Sequence, residues 1–128
     1  MRTLDVSQIT EKVRDMCIRI NYELSPDMQE ALQKAAKQEA SALGQQILEI
    51  LDQNLQVARN EQIPICQDCG MAVVFAEIGQ DVHLTGGYFE DAINAGVALG
   101  YETGYLRKSV VSDPIRRNNT RSEEHTSE

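Results

Sequence analysis

Residues 60–75 read NEQIPICQDCGMAVVF, and the character of the chain changes within them. Upstream, residues 5 to 62 contain a single glycine, Gly44, and a single proline, Pro26, with apolar residues at helical spacing. Pro64 cannot continue a helix, and it pushes Ile63 toward extended backbone. Beyond the two cysteines, MAVVFAEIG has the β-branched and aromatic content of a buried strand. The stretch therefore separates a helical half from a mixed one.

In the helical half, Ile9, Val13, Cys17 or Met16, Ile20 and Leu24 recur every three or four residues, which predicts an amphipathic helix with one stripe facing a core. Ser25 followed by Pro26 supplies an N-cap and a proline at the first helical position, so a new helix starts there. Leu32, Ala35, Ala36 and Ala40 make a weak stripe, and Leu43, Ile47, Ile50, Leu51 and Leu55 a stronger one. With Gly44 as the break, two helices joined near residues 40–44 are expected.

Downstream, QDVHLTGG places Val82 and Leu84 in alternation with His83 and Thr85, and Gly79-Gln80-Asp81 suits a tight turn. An antiparallel hairpin of residues 71–79 and 82–85 is the expectation. Residues 88–105, YFEDAINAGVALGYETGY, return to helical spacing through Phe89, Ile93, Val97 and Tyr101. Gly96, Gly100 and Gly104 recur every four residues and leave a smooth face against which another backbone can pack closely. Residues 106–120 read as loop or extended chain broken at Pro114. The expected class is α+β: N-terminal helices, a β-hairpin or small sheet, and a further packing helix, all within part of a larger domain.

The chain has 128 residues, 41% of them hydrophobic, enough for one domain with a core. Twenty acidic against twelve basic residues give a formal charge of −8, and the cations are scattered, which argues against a phosphate-binding surface and hence against nucleic acid. No apolar run is long enough to cross a bilayer, and MRTLDVSQIT lacks a signal-peptide core, so a cytoplasmic protein is expected. Cysteines at 17, 66 and 69 are an odd number in such a chain and argue against a disulfide framework. The last residues, RSEEHTSE (121–128), contain no apolar side chain and are expected to be non-native or disordered, leaving 1–120 as the N-terminal part of a longer protein.

Cys66-x-x-Cys69 admits four chemistries. A thioredoxin-like pair needs its first cysteine at a helix N-terminus, whereas a strand is expected to follow here. Structural zinc needs four ligands, and the other candidates before the tail are Cys17 and His83. An iron-sulfur centre with one open iron needs three thiolates, which distant parts of a longer chain could supply. Two small packed thiols are the fourth reading, and the residues alone leave it as good as metal ligation. Gln67 can hydrogen-bond a carboxylate or hydroxyl, and Asp68 can accept a proton or orient a water.

Taken together, IPICQDCGMAVVF (63–75), GQDVHLTGGYFEDAINAGVALGYETGYLRKSVVSDP (79–114) and RRNNT (116–120) resemble the N-terminal part of the alpha subunit, or alpha region, of class I fumarate hydratases and L-tartrate dehydratases. The resemblance covers nearly all of residues 1–120. It implies a [4Fe-4S] cluster held by three cysteines, with the fourth iron open to substrate. Cys66 would be one of the three ligands, Gln67 and Asp68 the substrate-contacting pair, with Asp68 catalytic, and Arg107 of YLRKS the ligand of a substrate carboxylate, a task that suits a guanidinium fork. Position 69 is often threonine in that pattern, which implies that Cys69 is a neighbour rather than a ligand.

The other two cluster cysteines would follow a Gly-Asp-Asn-Thr-Pro segment after Asn119-Thr120, where Arg121 and the polar tail stand instead. The resemblance thus implies a hydro-lyase that interconverts fumarate and malate, or dehydrates tartrate to oxaloacetate. It would act on a small dicarboxylate or hydroxy acid, with a beta subunit or beta region, as an oligomer at full length; this chain alone would be inactive. The competing expectation is a small thiol- or zinc-binding interaction module that uses Cys66 and Cys69 together.

Overall fold

A computed structural model describes residues 1–120, so the expectation for the tail at 121–128 lies outside the described residues. In chain order the elements are β1 (Arg2–Asp5), α1 (Val6–Tyr22), α2 (Pro26–Gln38), α3 (Ala42–Glu61), β2 (Val82–Thr85), α4 (Phe89–Thr103), β3 (Val110–Val111) and β4 (Asn119–Thr120). The α+β class expected from the sequence is therefore observed. The chain forms two compact units: Met1–Ile18 with the described residues from Gln67 onward, and Arg19–Cys66. Helix α1 runs from the first unit into the second.

In the unit Arg19–Cys66, α2 begins with Pro26 after Ser25 in extended backbone, as the sequence required. It ends at Gln38, and Ser41 then caps α3 by accepting the Gly44 N–H on its hydroxyl at 3.0 Å. The helix break expected near 40–44 thus falls at residues 39–41. Tyr22 and Ala58 are the buried hydrophobic residues of this unit. Leu24, Leu32, Leu48 and Leu55 are half-buried, and Leu43, Ile47 and Ile50 face outward.

In the other unit, β1 and β2 pair in parallel with Arg2 opposite Val82 and Asp5 opposite Thr85. Asp5 then accepts the Ser7 N–H at 2.9 Å at the start of α1, and the Ser7 hydroxyl first, then this N–H, hold its carboxyl below the usual aspartate range. The core comprises Val6, Val13 and Cys17 of α1, Ala92, Val97 and Tyr101 of α4, and Leu106. Their contact follows the glycine ladder: a Cβ on Gly96 would stand 2.6 Å from the Thr10 carbonyl oxygen, and one on Gly100 would stand 2.8 Å from Cys17 Cβ. Thr10 Oγ1 adds a 2.9 Å bond to the Ala92 carbonyl across the same contact. Tight helix packing is what the spacing of these glycines encodes.

Two expectations need correction. Residues 71–79 form no regular element, and the hairpin they were expected to make with 82–85 is replaced by the parallel β1–β2 pair. The turn itself is present, since the Val82 N–H bonds to the Gly79 carbonyl at 3.0 Å. Strand composition alone does not make a strand, because its backbone groups need a neighbouring ladder. The stripe of α1 also shifts: Cys17 is buried, while Met16 and Ile20 are exposed. The loop or extended chain expected over residues 106–120 includes two short strands: β3 and β4 pair antiparallel across a turn in which Asp113 accepts the N–H groups of Ile115 and Arg116.

Candidate functional site

Helix α3 stops where Gln62 enters the left-handed region at φ 54°, and the Ile63 N–H folds back onto the Ala58 carbonyl at 3.0 Å. The chain then runs extended past Pro64 and is pinned on both sides of Ile65. Its N–H donates to the Asn21 carbonyl, and its carbonyl accepts from Asn54 Nδ2, each at 2.8 Å. The unit ends on Cys66, an exposed cysteine.

The second stretch of the other unit begins at Gln67, and its site residues are built on the C-terminal end of α4. Gly104 closes that helix, Tyr105 adopts φ 52°, and the Leu106 N–H bonds back to the Tyr101 carbonyl at 3.0 Å, burying Leu106. This reversal delivers Arg107 to the 67–70 segment. The Arg107 main-chain N–H donates to Cys69 Sγ at 3.1 Å, and Nη1 of its side chain donates to the Gln67 carbonyl at 3.3 Å. Tyr101, 3% exposed, reaches out of the core to place its hydroxyl 3.1 Å from the carbonyl oxygens of both Cys69 and Gly70.

Asp68 Oδ1 accepts the Gly70 N–H at 3.0 Å across a turn that Gly70 permits at φ 63°. Its carboxyl is held below the usual range, first by the Ser109 hydroxyl, then by the Gly70 N–H and the Arg107 charge. Ser109 Oγ is buried and falls short of full hydrogen-bond geometry with any described partner, so its pull is that of a hydroxyl dipole lying close by. Asp68 is thus an anion at neutral pH, an acceptor and not an acid. Arg107 is exposed and stands in no salt bridge among the described residues.

Of the residues singled out in the sequence, Gln67, Asp68 and Arg107 therefore come together on one unit, and Cys66 closes the other. Cys17 and His83 do not join them: Cys17 is buried against α4, where burial pushes its thiol up, and His83 lies exposed on β2. No group of three or more His, Cys, Asp or Glu side chains able to hold a metal ion occurs among the described residues. The zinc form of the competing module thus finds no donor set of three among the described residues. For a cluster with cysteine ligands, the exposed Cys66 thiol is a fitting single donor, and the described residues do not complete the set. Tyr101 and Ser109 enter the site without having been singled out for it, and Cys69, expected as a neighbour rather than a ligand, enters as a hydrogen-bond acceptor, because these roles depend on contacts made across the fold.

Residues 10–126 match the family model described as "Fumarate hydratase (Fumerase)". Over 113 residues the chain is 31% identical to a protein of Methanocaldococcus jannaschii named "Putative L(+)-tartrate dehydratase subunit alpha". That similarity covers 84% of this chain and 39% of the relative, so the chain spans well under half of that protein's length.

Proposed function

Since the chain belongs to the fumarate hydratase (Fumerase) family, we propose that it is part of a hydro-lyase that adds water to fumarate to give malate, or removes it from tartrate to give oxaloacetate. The observation that carries this reading is the convergence of Arg107, Gln67 and Asp68 on one short turn, an arrangement suited to a small hydroxy dicarboxylate. Arg107 spends one of its five N–H donors on the Gln67 carbonyl, leaving four for a carboxylate. Gln67 offers its amide to the substrate's carboxylate or hydroxyl. Asp68, kept ionised, orients a water or the substrate hydroxyl; the same depression makes it a weak base for a carbon-bound proton.

As the carbon-bound proton leaves, negative charge grows on the neighbouring carboxylate, and a guanidinium already in place stabilises that charge without reorganising. We assign to the enzyme a [4Fe-4S] cluster with Cys66 as one of three cysteine ligands, the other two lying outside the described residues. When bound, such a cluster supplies Lewis-acid chemistry toward a hydroxyl. The relative's designation as a subunit alpha supports a beta subunit or region as partner in a larger oligomer. No helix of the described residues is long and apolar enough to cross a membrane. We place the enzyme in the cytoplasm, where thiols stay reduced.

The test is direct. The full-length enzyme, assembled anaerobically with its beta partner, should turn over fumarate or tartrate, and Cys66→Ser should lose both the activity and the cluster's visible absorption. Hydration or dehydration retained in Cys66→Ser would refute the assignment.

A further inference from the structure

Arg107 sits on a connection with no regular secondary structure, and its side chain is exposed. A long side chain on such a segment loses rotamer entropy when ordered, unless the fold has already restricted it. Here the restriction is visible as a chain of hydrogen bonds that starts in the core. The Tyr101 ring is buried, and its hydroxyl, which has one proton, lies 3.1 Å from two successive carbonyls, those of Cys69 and Gly70. That fixes the turn. Within the turn, Cys69 Sγ accepts the Arg107 main-chain N–H, and two residues earlier Gln67 offers its carbonyl to the guanidinium.

We propose that Cys69 and Tyr101 are positioning residues that hold Arg107, backbone and side chain together, in the orientation that receives a substrate carboxylate. The proposal rests on the reading of Arg107 given above. Cys69 is then neither a metal ligand nor an incidental neighbour: its sulfur is the acceptor that sets where the arginine's backbone begins, and the guanidinium keeps four donors for the ligand.

A shape-matched pair of variants isolates the acceptor from the packing. Cys69→Thr keeps an acceptor at the γ position, whereas Cys69→Val has the same outline and none. Hydrogen exchange at the Arg107 amide of the 128-residue chain should speed up about three- to tenfold in Cys69→Val and stay near wild type in Cys69→Thr. In the assembled enzyme, KM for the dicarboxylate should rise by a similar factor in Cys69→Val with kcat within about twofold, and Cys69→Thr should restore it. Tyr101→Phe, which removes only the hydroxyl, should change both readouts in the same direction. Equal exchange in the threonine and valine variants overturns the proposal, as does a fall in kcat at unchanged KM. An unchanged KM in Arg107→Gln would reject the carboxylate reading, while the exchange pair still decides whether Cys69 holds the arginine.

Discussion

Asp68 carries its charge among groups that favour ionisation: the Ser109 hydroxyl, the Gly70 N–H and the Arg107 guanidinium. Its folded-state pKa lies below the ordinary value, so it stabilises the folded protein above that value, and the contribution disappears as pH falls through the folded pKa. The loss therefore belongs to strongly acidic solution. Carboxyl-carbon NMR should place the Asp68 midpoint below that of a model aspartate, and Ser109→Ala should move it upward. A midpoint unchanged in Ser109→Ala would remove the serine from the account. At this scale the sequence was readable for residue type but not for geometry. Gln67, Asp68 and Arg107 could be named from their motifs, yet Cys69 read as incidental because its partner lies 38 residues away. It is brought there by a left-handed Tyr105 that no local pattern announces.

Among the elements, the α1–α4 contact was the most legible, because glycines four residues apart leave a groove that only a close backbone fills. Gly96 has no room for a methyl group: its nearest neighbours would be a main-chain oxygen at 2.6 Å and Val13 Cβ at 2.7 Å. Gly44 of α3 is as crowded, but its nearest neighbour at 2.5 Å is the flexible end of the Glu39 side chain rather than main chain. Both glycines are helical, so the gain in helix propensity on substitution by alanine is the same for each. Gly96→Ala should be the more destabilising, by about 1–3 kcal/mol relative to Gly44→Ala, in urea unfolding of the chain. Equal costs would contradict the close crossing. The strand expected at 71–79 was illegible for the opposite reason. Its composition describes a burial that the described residues do not provide, since Val73 is 70% and Phe75 94% exposed, whereas the polar segment Arg2–Asp5 supplies the ladder that β2 uses.

For the molecule as a whole, the donor inventory decides what the 128-residue chain can do. With Cys66 exposed, Cys17 buried and no cluster of three metal-binding side chains among the described residues, it should fail to retain four iron atoms after anaerobic reconstitution. Iron quantification and visible absorption check this, and a stoichiometric four-iron signal would contradict it. The sequence showed that the chain is α+β and where its helices lie. It did not show that the unit carrying Gln67, Asp68 and Arg107 is assembled from two separated stretches, with Arg19–Cys66 between them. That discontinuity bears on synthesis. On the ribosome, β1 and most of α1 emerge long before their partners β2 and α4, a delay on the order of ten seconds at ordinary elongation rates. Throughout it Val6, Val13 and Cys17 have nothing to bury against. The nascent chain can complete Arg19–Cys66 first, and the unit that holds the site closes only once α4 has cleared the exit tunnel.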